Sequence, residues 1–122
     1  MPDIQTKRVY DPADPHDGYR VLVDRVWPRG MSRQAVKADL WLKDAAPSTE
    51  LRKWFAHEPS KWEAFRVRYA QELDRQAEAV AILREAAAKG RLMLLYSAHD
   101  TEHNQAVALK AYLLARSGRQ AR

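Results

Sequence analysis

Two short segments of the sequence concentrate the side chains that could bind a ligand. The first is 24–30 (DRVWPRG) and the second is 97–104 (SAHDTEHN). Arginine binds phosphate and carboxylate groups through two parallel hydrogen bonds, so Arg25 and Arg29 are predicted to hold an anion. Asp24 is expected to orient an arginine or a water molecule. The alternative for the first segment is structural: Asp24 pairs with one arginine, while Trp27 caps the core.

The second segment contributes a histidine that could transfer protons. Histidine titrates near neutral pH, which makes His103 a candidate acid or base beside an anion. Asp100 or Thr101 is predicted to cap the last helix, which would place His103 in its first turn. His103 could instead serve only as a hydrogen-bonding residue at that helix start. The predicted catalytic residues are thus Asp24 and His103, and the predicted ligand-binding residues are Arg25, Trp27, Arg29, Ser97, Asp100 and Asn104.

Other chemistries are disfavoured by spacing and composition. His99 and His103 would share a helix face only if the helix began before His99, and no third metal ligand follows at a standard spacing. Ser97, His99 and Asp100 lie too close in sequence for a catalytic triad. The chain has no cysteine, which excludes disulfides, thiolate metal sites and cysteine nucleophiles. We therefore predict neither a metal nor a cofactor.

The elements that must position these segments alternate between strand and helix patterns. Apolar and β-branched runs predict strands over 4–10, 19–24, 40–42 and 91–96. Helices are predicted over 33–38, over 50–57, from a capping box at Ser60 and Glu63 to residue 88 with a break near Asp74, and finally up to Gly118. This pattern predicts one α/β domain, a mostly parallel sheet of about four short strands covered by helices, with a C-terminal helix after the last strand.

A parallel sheet fixes where a site would lie. The carboxyl ends of parallel strands meet at one edge, and helix N-termini there can offer free amides to an anion. Both chemistry-bearing segments follow predicted strands. We therefore expect them to converge at this edge, provided that the strand order brings the loops together.

The size and charge of the chain limit its number of domains and its types of partner. The chain of 122 residues suits a single domain spanning 1–122, with a basic tail over 114–122. The net charge of +5 invites a nucleic-acid interpretation, but acidic residues are interleaved with the basic ones. No apolar run is long enough to cross a bilayer, and no signal peptide is evident, so a soluble, cytoplasmic protein without membrane partners is expected. The oligomeric state is left open.

Three motifs resemble those of a known family. Segments 19–30 (YRVLVDRVWPRG), 46–55 (APSTELRKWF) and 100–106 (DTEHNQA) resemble the YeaO-like branch of the domain of unknown function 488 family. The resemblance covers about residues 7–114 and implies an α/β fold without an established activity. Other branches look as if they carry a cysteine and a Cys-His-Arg triplet where this chain has Ser97 and Glu102-His103-Asn104. Thiol chemistry is therefore not expected here.

Three functions remain open from the sequence. The first is binding of an anionic small molecule (phosphate, nucleotide or carboxylate) at the strand ends, with or without hydrolase or transferase chemistry. The second is a nucleic-acid-binding or regulatory module, which the net positive charge suggests. The third is a protein-interaction domain that docks a partner on the apolar stripe from Trp62 to Leu73, although such a stripe is more typical of a core.

Overall fold

The sheet is parallel throughout, and its last strand in the sequence lies inside it. In a computed structural model, which describes residues 2–120 and the side chains as far as residue 115, the order of the four strands is β1-β4-β2-β3. The strands are β1 (Ile4–Arg8), β2 (Tyr19–Leu22), β3 (Leu40–Trp41) and β4 (Leu92–Tyr96). The predicted fold class is confirmed, including the helix that follows the last strand.

The sheet divides the core into two parts, and the side chains of β4 alternate between them. All five residues of β4 are buried because it pairs with β1 on one side and β2 on the other. Leu92, Leu94 and Tyr96 point into the larger core, whereas Met93 and Leu95 point into the smaller one. Side chains of a strand alternate between faces, so a continuous apolar run is what a strand covered on both faces requires.

Helices cover the larger face, and loops share in covering the smaller one. The helices are α1 (Arg33–Val36), α2 (Thr49–Phe55), α3 (Trp62–Asp74), α4 (Ala77–Lys89) and α5 (Gln105–Gln120). Helices α2 to α5 contribute to the larger core, and α1 packs with the loop after β2 on the smaller one. The apolar stripe on α3 is buried through Phe65, Tyr69 and Leu73, so it is core rather than a docking surface.

The helix boundaries agree with the sequence in part. The predicted break near Asp74 is confirmed, since α3 ends there and α4 begins at Ala77. The predicted capping box at Ser60 and Glu63 is wrong. Residues Pro59–Lys61 form a 3₁₀ turn, so Ser60 lies inside the turn and α3 starts without a side-chain cap.

Two further sequence predictions concern the basic tail and membrane-spanning segments. The predicted basic tail over 114–122 falls mostly on residues whose side chains lie outside the described part. Within residues 2–120, no helix has the length and apolar character that crossing a membrane requires.

Candidate functional site

A cleft of about 640 Å³ opens at the carboxyl edge of the sheet. Its walls come from the loops after β1, β2 and β4 and from the start of α2, because parallel strands end at the same edge. The structure brings all of the sequence-predicted site residues to this cleft: Asp24, Arg25, Trp27, Arg29, Ser97, Asp100, His103 and Asn104. Their roles, however, differ from one residue to the next.

Arg25 is held in place by backbone oxygens. Its Nε donates to the carbonyl of Pro47 at 3.1 Å, and its Nη2 donates to the carbonyl of Ala46 at 3.2 Å. Neutral carbonyls orient the guanidinium without cancelling its charge. The structural alternative, a pairing of Asp24 with Arg25 or Arg29, has no salt bridge in the described part of the chain. The half-buried guanidinium therefore keeps its positive charge at the cleft.

Two further guanidinium groups lie at the exposed rim. Arg29 and Arg52 both line the cleft and are exposed. Neither makes a side-chain hydrogen bond or salt bridge to the described residues 2–115, although Arg52 acts electrostatically on the Asp24 carboxyl. Tyr10 also lines the cleft, and its hydroxyl donates to the backbone carbonyl of Arg29 at 3.1 Å. This bond ties the loop after β2 to the loop after β1.

Asp24 provides a buried carboxyl in the same cleft. The residue is only 6% exposed, and burial raises the pKa of the Asp24 carboxyl above its ordinary value. Hydrogen bonds from Ser97 and from Gln105 act in the opposite direction because they stabilise the charged form. The Trp41 indole donates to the Asp24 backbone carbonyl at 2.7 Å, which fixes the residue at the strand end.

Asp100 and His103 form a hydrogen-bonded pair that also lines the cleft. Asp100 Oδ2 lies 2.9 Å from His103 Nδ1, and Asp100 Oδ1 accepts from the backbone amides of Glu102 and His103. These bonds hold the pKa of the Asp100 carboxyl below its ordinary value, led by the Glu102 amide. The His103 ring also meets Trp62 edge-on, with centroids 5.3 Å apart. Asp100 thus fixes the loop and the orientation of the imidazole.

The predicted helix start at Asp100 or Thr101 is wrong. Residues 101–104 form bends, and α5 begins at Gln105. The cap is Asn104, whose Oδ1 accepts from the Val107 amide at 3.0 Å while its Nδ2 donates to the Asp100 carbonyl at 2.9 Å. His103 therefore precedes the helix rather than lying in its first turn, and the polar ends of Asn104 are both used within the protein.

Trp27 and the start of α2 have roles inside the fold. Trp27 donates its indole N–H to the Met31 carbonyl at 2.6 Å and packs edge-on against Trp41 at 5.2 Å. At the start of α2, the Ser48 hydroxyl caps Leu51, and Glu72 accepts from the Ser48 backbone amide at 2.8 Å. An internal carboxylate thus already accepts a hydrogen bond at this helix start. The sequence predicts instead that the amides of helix starts at this edge are free for a ligand.

Some cleft residues could not be recognised from the sequence. Arg52 lies on the exposed face of α2, where a charged residue is ordinary. Gln105 contacts Asp24 because α5 starts at Gln105. Arg8, which does not itself line the cleft, ends β1 and donates its Nε to the carbonyl of the lining residue Ala98 at 2.9 Å. The sequence indicates site residues only through polar side chains that directly follow a strand. None of these three residues directly follows a strand, so this criterion misses them.

Fold and site together define a small parallel α/β protein with a cleft, lined by three arginines and two aspartates, at the carboxyl edge of its sheet. Residues 3–122 match the model of a family described as the inactive DUF488-N3 subclade, and the chain belongs to this family. The resemblance inferred from the three sequence motifs is thereby confirmed.

The similar proteins span nearly the same length. The chain is 47% identical over 111 residues to the uncharacterized protein YeaO of Escherichia coli K12, which covers 91% of this chain and 96% of YeaO. It is 37% identical over 113 residues to the uncharacterized proteins Rv3073c of Mycobacterium tuberculosis H37Rv and Mb3100c of Mycobacterium bovis, covering 93% of this chain and 95% of each relative. No solved structure matches the chain.

Proposed function

We propose that the protein binds a small organic anion in the strand-end cleft, and that Arg25, Arg29 and Arg52 hold its anionic group. The observation that carries this proposal is the set of three guanidinium groups at one cleft with no carboxylate salt-bridged to any of them in the described part of the chain. Clustered cations without a salt-bridged carboxylate favour an external counter-ion, and arginine favours phosphate or carboxylate.

The arrangement of Arg25 supports recognition more strongly than the two rim arginines do. Two backbone carbonyls fix its orientation before any ligand arrives, so binding would order little further side-chain motion. Preorganisation of this kind improves affinity because the entropic cost is already met in the free protein. The cleft volume of about 640 Å³ also falls in the usual range for small-molecule sites.

Binding without turnover fits this site better than catalysis. The family is described as inactive. In this proposal Asp24 and His103, the predicted catalytic residues, orient the ligand. The cytoplasmic location that the sequence suggests stays a prediction.

Calorimetric titration with inorganic phosphate, phosphate monoesters and small carboxylates tests the proposal. We expect at least one of these anions to bind the wild-type protein. Arg29→Gln and Arg52→Gln should each weaken binding by about tenfold or more, since each removes a charge-assisted hydrogen bond. Both arginines are exposed, so the variants should fold normally.

The matched control is Arg66→Gln, which removes one positive charge from α3, where Arg66 pairs with Glu63 outside the cleft. It should leave anion binding unchanged. Equal weakening by all three variants would mean that net charge, rather than the cleft, attracts the anion. If instead only short duplex DNA binds, with affinity that falls steeply with salt and is indifferent to Arg29→Gln, the nucleic-acid alternative replaces this proposal.

A further inference from the structure

The cleft has two chemically different ends. Arg29 and Arg52 are exposed at its rim, whereas Asp24 is almost fully buried and lies at the inner end. A cleft for a bare anion would present cations or amides along its whole depth. This one places a carboxyl where the deepest part of a ligand would lie.

The Asp24 carboxyl has acceptor positions left for a ligand. Oδ1 accepts from Gln105 Nε2, and Ser97 supplies further hydrogen bonds. A carboxylate offers about four lone-pair sites on its two oxygens. Asp24 forms no salt bridge with any residue the structure describes, so no cation is bonded directly at the remaining positions, although Arg52 acts on the carboxyl electrostatically. A ligand group that donates a hydrogen bond would fill one of them.

An apolar wall also lines the cleft. Phe55 and Phe65 line the cleft together with Ala46, Pro47 and Ala98. Phe55 and Phe65 stack on each other with centroids 4.4 Å apart and are buried in the larger core, so this wall is rigid. A carbon skeleton would pack there, whereas a free phosphate ion would leave the wall uncovered.

Resting on the proposed function, we propose that the ligand is a hydroxylated organic phosphate. Its phosphate contacts Arg25, Arg29 and Arg52, its carbon skeleton lies along the phenylalanine wall, and one of its hydroxyl groups donates to Asp24. Discrimination follows from Asp24: a phosphate bound at the inner end is repelled by a carboxylate, whereas a hydroxyl is attracted. The cleft therefore prefers a hydroxylated phosphate to a plain alkyl phosphate of equal length.

Two ligands of equal length test this with the unmodified protein. Glycerol 3-phosphate and propyl phosphate share the phosphate and the three-carbon chain, and they differ in two hydroxyl groups. Calorimetry on the wild-type protein should give glycerol 3-phosphate an affinity about tenfold higher, the value of one hydrogen bond to a charged acceptor. In Asp24→Asn the preference should fall below about threefold, and inorganic phosphate should bind more tightly than it does to the wild type.

The outcomes separate this inference from the proposed function. If both esters bind the wild type equally, and both are weakened by Arg29→Gln, the cleft binds anions but the inference about hydroxyl recognition is overturned. If Asp24→Asn weakens both esters and inorganic phosphate to the same extent, Asp24 supports only the fold, and the inference is likewise overturned. If neither ester nor inorganic phosphate binds the wild type, both the inference and the proposed function fail.

Discussion

Replacing Arg25 by methionine tests how this arginine is held in the cleft. Methionine keeps the unbranched stem but removes the donors to the carbonyls of Ala46 and Pro47, which lie 3.2 and 3.1 Å away. Both carbonyl residues are buried, so their oxygens lose protein partners and are only partly rehydrated from the cleft. A hydrogen bond from a charged donor contributes about 1.5–3 kcal/mol when desolvation is complete. Allowing for the water, we expect a loss of about 2–3 kcal/mol in the free energy of unfolding.

Urea denaturation followed by far-ultraviolet circular dichroism measures this loss. The midpoint should fall while the slope of free energy against urea stays constant, because the surface exposed on unfolding hardly changes. Arg29→Met is the matched control. It removes an exposed arginine without described side-chain bonds, so it should change stability by less than about 0.5 kcal/mol. Both variants should lose anion affinity.

Equal stability of the two variants would refute the reasoning about Arg25. It would mean that the Arg25 guanidinium does not hold the segment before α2 and is as free as that of Arg29. The charge of Arg25 could still attract an anion, but its preorganisation, and the affinity attributed to it, would have to be abandoned.

Three further substitutions have defined outcomes. Burial raises the folded-state pKa of the Asp24 carboxyl. The contribution of the protonated carboxyl to stability is therefore complete below about pH 3.9 and is lost as the pH rises through the folded-state pKa. In urea titrations, the wild type should lose free energy of unfolding relative to Asp24→Asn over this pH range. Gly18 has φ +83° and an added Cβ would lie 2.3 Å from the Arg91 carbonyl, so Gly18→Ala should cost about 2 kcal/mol or more, measured as a lower urea midpoint. Asp17→Asn breaks the buried pair with Arg20 and should cost about 3–5 kcal/mol in the same assay, whereas an unchanged midpoint would contradict that pairing.

The sheet could be predicted from local patterns, but its order could not. The apolar runs 19–24 and 91–96 indicate strands covered on both faces, and β2 and β4 are indeed neighbours inside the sheet. The position of β1 beside β4 depends on pairing between residues such as Ile4 and Leu92, which are far apart in sequence. Local periodicity carries no signal for such a pairing.

The contents of the cleft could be predicted better than the roles of its residues. Polar residues after parallel strands must meet at one edge, which is why Arg29 and Ser97 line the same cleft. Whether Asn104 binds a ligand or caps a helix depends on where α5 starts, and Asp100 delays that start by holding the amides of the preceding bends. Both Asp100 and Asn104 favour helix starts, so the sequence alone could not choose between them.

Mapping the ligand contact by nuclear magnetic resonance tests the central claim most directly. Amide chemical shifts of the ¹⁵N-labelled protein would be recorded during titration with glycerol 3-phosphate. The account predicts saturable shifts concentrated in the three cleft segments 24–30, 46–52 and 97–105, and a much smaller response in Arg29→Gln. Shifts concentrated at the opposite end of the sheet, around Gly18 and Gly90, or no saturable shifts at all, would contradict it.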